Sequence, residues 1–423
     1  MNKKLIYTAL LLLFSLNITA QSLIYENKTF KKGIETVLIY KEGWQLSFPI
    51  IDMNKPEEKI TLSFDELGNQ TEDYSWTVKY CNMNWTESEL DPIDYIDGFA
   101  EGYVSDYALS KNTKVNYINY QVRFPNDDMS FRKSGNYVVI VFENNDQEQI
   151  VLTQRFYVIN PETVVKGDVF KQSVARIEQN QTVNFSIKFS QDIINAAENL
   201  KCFIVKNGEA QLNTEGISPS RFTMNGMAYE HISELSFSGV NEYRHFDIKS
   251  VKFLSDKLQN VENSDKYYKV LLRPDEILSG EPYNYKPDIN GRRLIKLENI
   301  DRSNIEADYV MVTFRLAAPL NINSGDYYVY GALSNWKISD KFKMHYDERG
   351  FYTTTVFLKQ GYYNYRYIFK SAGLNIADDA RWYIAEGNFY QTENDYYVLC
   401  YYKNPIEMCD ELVGFVRLNT EKK

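Results

Sequence analysis

Histidine and proline are scarce in this 423-residue chain, at 3 and 11 residues. The three histidines, His231, His245 and His345, are too far apart to form a His-x-x-x-His metal pair. No Gly-x-Ser-x-Gly elbow offers a nucleophile for one of them to activate, and no Gly-rich loop reads as a phosphate cradle. Acids are plentiful, but Asp127, Asp128 and Asp378, Asp379 lie in polar turns, where neighbouring carboxylates stay solvated. In LDPIDYIDGFAEG at 90–102, Asp91, Asp94 and Asp97 recur every three residues, whereas an EF-hand loop needs ligands at alternate positions. The expectation is a non-enzymatic chain with no catalytic, cofactor or metal residues, which acts through its surface.

Cysteine is also sparse. Cys81, Cys202, Cys400 and Cys409 match no zinc spacing. Cys400 and Cys409 are near enough in sequence to bridge a short hairpin, and Cys81 and Cys202 read as free, buried thiols. Long apolar runs are missing beyond the first twenty residues, so no helical membrane span is expected. The opening MNKKLIYTALLLLFSLNITAQ combines two lysines, an apolar stretch from Leu5 to Leu16 and a small residue at Ala20, the pattern of a cleaved secretory signal over residues 1–20. No cysteine follows that point to carry a lipid. A formal net charge of -10 argues against nucleic acid or anionic lipid as the main partner, since both would be repelled.

What is abundant is aromatic residues, with 34 Tyr and 24 Phe, which suit pleated, half-buried surfaces. Period-2 alternation recurs. In VNYINYQVRF, Ile118, Tyr120, Val122 and Phe124 share one face, leaving Asn119, Gln121 and Arg123 on an expected wet face. Similar short runs at 135–142, 150–159, 182–189, 266–273, 308–316 and 362–369 are punctuated by Gly, Asn, Asp or Pro, as in sandwiches. The only helix expected in the central region is a short connector in SQDIINAAENL at 190–200. SGNYVVIV at 134–141 resembles the tyrosine corner of immunoglobulin-like sandwiches, in which the hydroxyl ties the strand to preceding backbone. Pattern breaks at INPET and ENIDRSNIEAD divide the mature chain into sandwiches at 21–160, 161–303 and 304–423. The fold class is therefore all-β, with tandem immunoglobulin-like or early-set sandwiches behind a signal peptide.

YVYGALSNW, KMHYDERGFY and LKQGYYNYRYIF resemble the early-set modules that include glycogen-binding domains. In such modules the aromatic at Trp336 can stack on a sugar, and a second tryptophan completes the platform. Here that second stretch has Leu374 and Asn375 instead, so Trp336 is read as a packing residue. Downstream, Tyr363, Tyr365, Tyr367 and Phe369 form an expected core face, and Tyr362, Asn364, Arg366 and Ile368 a possible contact face.

Over nearly the whole mature chain, YCNMNW, LDPIDYIDGF, LSKNTKVNYINYQVRFPN, SGNYVVIVF, SFSGVNEYRHFDI, GALSNW, KQGYYNYRY and EGNFYQTENDYYV resemble, in order and spacing, the plug proteins of the Bacteroidetes type IX secretion system. The resemblance implies an exported, periplasmic protein that docks on the giant outer-membrane translocon β-barrel and blocks its periplasmic mouth. It would be a monomer within a heteromeric complex, without inserting directly into the membrane. The motifs single out Trp85, Tyr95, Gly98, Phe99, Asn241, Arg244, Asp247, Trp336, Tyr362 and Arg366 as framework or interface residues. Arg244 and Asp247 fall on opposite faces of a strand and need separate partners. Two rivals remain. One is an envelope carbohydrate-binding accessory protein. The other is an outer-membrane barrel, disfavoured by unequal strand lengths, the lack of a uniform aliphatic band and the NTEKK ending.

Overall fold

The computed structural model describes residues 25–171, 180–189, 193–320, 325–371 and 384–420. The expected signal segment, the 190–192 start of the connector, and Leu374, Asn375, Asp378 and Asp379 lie outside them. The connector's described part is a single turn, Ala196–Asn199.

Each sheet among the described residues is an open path of strands, so the chain is a set of sandwiches, as expected, and not the barrel kept as a disfavoured rival. In the first sandwich, Ile34–Lys41, Ile60–Leu67, Tyr117–Phe124 and Asp106–Leu109 form one sheet. It faces a second sheet of Lys28–Thr29, Ile150–Ile159, Gly135–Glu143, Tyr74–Cys81 and Glu101–Tyr103. Leu62, Phe64, Tyr120, Val139 and Phe156 fill the space between them. The Tyr137 hydroxyl donates to the Lys133 carbonyl at 2.7 Å, the tie expected of a tyrosine corner.

GNYVVIVF, expected to alternate between a core and a wet face, departs from that for a physical reason: its strand is buried on both faces. Tyr137, Val139 and Val141 point into the first core, while Val138, Ile140 and Phe142 meet Phe203, Leu399 and Tyr401 of the middle sandwich. The middle sandwich pairs a sheet containing Val164–Lys171, Asn180–Lys188 and Gly226–Tyr229 with one of Ala210–Asn213, Leu200–Lys206, Asp395–Asn404 and Cys409–Asn419. Four sheets are thus stacked through three apolar layers.

The boundary expectations at 303 and for 304–423 need correction. Strand Asp395–Asn404 runs along Leu200–Lys206, so the chain's last two strands complete the middle sandwich. The third sandwich is inserted ahead of these two strands, between the two parts of the middle sandwich, and already includes Arg244–Asp247, Leu258–Asn263 and Tyr268–Leu272, together with Tyr309–Ala317, Gly325–Tyr330, Tyr352–Lys359 and Tyr362–Ser371. Turn chemistry marks chain reversals, but pairing partners far apart in sequence decide which sandwich a strand joins. The polar run at 298–308 lies inside the third unit, where its turn Ser303–Glu306 reaches the first sandwich: the Ile305 carbonyl accepts the Lys111 N–H at 2.9 Å.

All four cysteines are free and buried. A Cys400–Cys409 bridge is excluded by register, because Cys400 lies opposite Gly414 and Cys409 opposite Asn404. The residue across from Cys400 on its other side is Cys202.

Candidate functional site

Asn241, Arg244, Asp247 and Tyr362 line a cleft of about 720 Å³ on the third sandwich, together with Lys257 and Asp275. Arg244 fixes its floor. Its Nε lies 3.1 Å from each Glu386 oxygen, its NH1 3.0 Å from Asp275 Oδ1, and its NH2 donates to the Glu276 carbonyl at 2.9 Å. Asp275 also accepts from Lys257 at 2.5 Å and from the Tyr365 and Tyr367 hydroxyls at 2.7 and 2.8 Å. Burial opposes ionisation of Asp275, yet Arg244 and Lys257 outweigh it and hold the carboxyl below its ordinary value. Asn241 donates to the Glu386 carbonyl at 2.9 Å, and Asp247 pairs separately with Lys249 at 3.0 Å, as opposite strand faces require. His245 stacks on Tyr362, and partial desolvation there, helped by the charge of Lys286, lowers its imidazole pKa and favours the neutral form. This network locks two sheets and the returning 384–394 segment together.

Around Trp336 the three sandwiches meet along a groove of about 280 Å³. Asn335 and Trp336 both adopt left-handed backbone, at φ 52° and 57°, which turns the half-buried ring toward Tyr243 and Tyr330 in edge contacts. Lys337 then pairs with Glu26 of the first sandwich at 2.9 Å. Trp85 lines the same groove. It is buried, with the Arg155 guanidinium 4.4 Å over its ring and Tyr157 edge-on.

Arg366 is 1% exposed, stacked 3.6 Å over the Tyr243 ring and 3.6 Å from Glu209. Burial works against its charge, but Glu209 and Tyr243 prevail and raise its pKa. The face of Asn364, Arg366 and Ile368, read as a contact face, is therefore covered inside the molecule; the opposite tyrosine face is core, as expected.

A second buried junction joins the first and third sandwiches. Lys359 Nζ lies 2.6 Å from Asp65 Oδ2, both side chains 1% exposed. The Tyr309 hydroxyl donates to the same oxygen at 2.7 Å, and Lys359 also donates to the Asn304 carbonyl at 2.6 Å. Asp308 accepts the N–H groups of Lys114 and Val115 at 2.7 and 3.1 Å. Asn119, expected on a wet face, is buried here because the third sandwich covers it; Asn304 donates to it at 3.3 Å.

LDPIDYIDGF divides its roles. Asp91 and Asp94 form a capping box around the turn Pro92–Tyr95, and Tyr95 is buried in the first core. Gly98 has φ 94°, and a Cβ there would fall 2.1 Å from the Asp128 carbonyl oxygen. Phe99, in contrast, is exposed, as are Ile93, Tyr103, Tyr107 and Leu109.

Of the motif residues, the structure gathers Asn241, Arg244, Asp247 and Tyr362 at one cleft and Trp85 and Trp336 at one groove, and leaves Phe99 on a separate edge. Sequence reasoning missed Asp65, Lys359, Asp275, Glu386 and Glu209. Two had a visible signal, charge within an otherwise apolar strand: the paired acids of ITLSFDEL and the single lysine of TVFLKQ.

These junctions define a multi-sandwich, all-β protein whose units are joined through buried polar contacts. Residues 34–160 match the first domain of the type 9 secretion system plug protein. A hypothetical protein from Parabacteroides merdae, known from a crystal structure, is 31% identical over 93% of this chain and 98% of that one, with a TM-score of 0.86. The chain belongs to the type 9 secretion system plug protein family, which ties it to type IX secretion and the cell envelope and is not an enzyme family. A serine-rich repeat protein from Streptococcus agalactiae (9% identity, 92% of each chain, TM-score 0.12) and a biofilm-associated protein B domain (12%, 92% and 87%, 0.16) are too dissimilar to inform the fold. No curated protein matches the chain.

Proposed function

We propose that this chain is an exported, periplasmic, non-enzymatic plug that docks on the outer-membrane type IX translocon barrel and seals its periplasmic mouth. The observation that carries this reading, beside the family, is the way the sandwiches are fused. Ion pairs at 0–9% side-chain exposure, Asp65–Lys359, Arg244–Glu386 and Arg366–Glu209, sit at or beside the junctions. A stopper must resist deformation when pressed against a wide pore, and buried charges that lose their partners on separation make opening costly. Release then proceeds by exchange of the whole body between bound and free populations.

Deletion of the gene should make the envelope leaky to large antibiotics, and tagged protein should retrieve a very large outer-membrane barrel. Unchanged permeability together with no barrel retrieved would refute the reading. The carbohydrate-binding alternative has less support: the Trp336 ring is packed edge-on among Tyr243, Tyr330 and Gly291. Unaltered α-glucan retention in Trp336→Ala would remove it.

A further inference from the structure

Between Glu87 and Leu109 the chain carries seven acids and neither lysine nor arginine. All seven are exposed, and Asp127 and Asp128 add two more on the adjoining hairpin. Arg132 meets Asp97 at 2.6 Å and Arg123 meets Asp106 at 2.5 Å, so the counter-charge is small. Set among these acids are Ile93, Phe99, Tyr103, Tyr107 and Leu109, exposed by 48–74%. Scattered apolar residues on a surface need no explanation, but a concentration of large ones does. Phe99 and Tyr103 rim one concavity of about 420 Å³ floored by Trp76 and Met129. Tyr107 and Leu109 share a face of their strand, two residues apart.

The segment is also where both sheets of the first sandwich end. Glu101–Tyr103 is the last strand of one sheet and Asp106–Leu109 the last of the other. Strands of three and four residues offer too little free backbone for stable strand addition, which is how short edges limit indiscriminate pairing. Recognition here falls to side chains.

We infer that this edge is a docking surface for a basic protein surface presenting an apolar side chain to the Phe99–Tyr103 concavity. Charge selects the partner class. Phosphates of nucleic acid or anionic lipid would be repelled, whereas lysines and arginines would pair with the acidic rim as the aromatics are covered. Aromatic side chains at the centre with charges at the rim is the distribution seen where binding energy concentrates. The identity of the partner as the translocon barrel rests on the proposed function.

The test uses the full mature protein and, as probe, the translocon barrel purified in detergent from the same bacterium. Wild type should bind, and Phe99→Ser with Tyr103→Ser should weaken binding at least about tenfold. Asp97→Lys with Glu101→Lys should slow association and flatten its salt dependence. A control, Phe253→Ser with Leu254→Ser, alters another exposed apolar pair and should bind like wild type. Circular dichroism confirms that each variant is folded. If the two edge variants bind like wild type, the surface assignment is wrong and the plug reading stands. If wild type does not bind the barrel, both fall.

Discussion

The junctions between sandwiches and the 87–109 edge draw on the same side chains, tyrosine, phenylalanine and aspartate, and use them in opposite ways. At the Asp65–Lys359 junction one carboxylate is met by an ammonium and a tyrosine hydroxyl, and every group is shut away from water. On the edge, seven carboxylates and five large apolar side chains face solvent together. The first arrangement holds the body together and the second leaves it something to bind with. Composition alone, with its surplus of Tyr and acid, reports neither.

The comparison is broken most severely by removing one side of a junction. Lys359→Met leaves Asp65 buried without its cation, and the expected loss is about 3–5 kcal/mol in urea unfolding. Burial already lowers the Lys359 pKa despite Asp65, which marks how costly that environment is for charge. A loss below about 1 kcal/mol would show that the junction is not structural.

Gly98→Ala probes the backbone of the edge itself. It combines a positive φ with a clash against the Asp128 carbonyl, and should cost about 1–3 kcal/mol, read as a lower melting temperature. An unchanged melting temperature would mean that the hairpin relaxes freely.

Acidity sharpens the contrast between two carboxyls, half-buried Asp288 and buried Asp275. Asp288 is pushed up to about 7, first by burial and then by Glu242 and Glu393, against N–H bonds from Asn290 and Tyr243. Unfolded, it titrates near ~3.9. Between those values the folded chain keeps a proton that the unfolded chain has released, so stability falls as pH rises through that window. Asp275 acts in the opposite sense: its depressed pKa gives stability that is present above ~3.9 and lost as pH falls below it. Thermal melts should therefore decline from about pH 4 to 7. Asp288→Asn should flatten that slope; an identical slope in the variant would assign it to other groups.

The smallest effect belongs to the edge. Phe99→Ser with Tyr103→Ser should leave folding stability within about 0.5 kcal/mol of wild type in the same urea assay. A larger loss would make these aromatics part of the fold and weaken the contrast.

Strand pattern was legible wherever one face met a core, as in Ile118, Tyr120, Val122 and Phe124, or in the tyrosines of 363–367. It misled where a second unit covered the other face. Asn119 and Arg366 look solvent-facing by alternation, yet other parts of the fold lie over both. Of the site, Arg244 and its need for partners could be read from a strand period, but Glu386, 142 residues away, could not. Phe99 stood inside a motif and Leu109 opened one, while Tyr103 and Tyr107 carried no mark that set them apart from the many buried aromatics.

The sequence by itself pointed to an all-β sandwich protein and its family, and offered Tyr137 as a resemblance to a tyrosine corner. Those follow from local patterns: side-chain alternation, turn residues and ordered motifs. Only the tertiary structure decided that the last two strands return to the middle sandwich, that Lys359 answers Asp65, and which aromatics stay in water. Such outcomes depend on contacts between residues hundreds of positions apart, and local periodicity holds no record of what will cover a face.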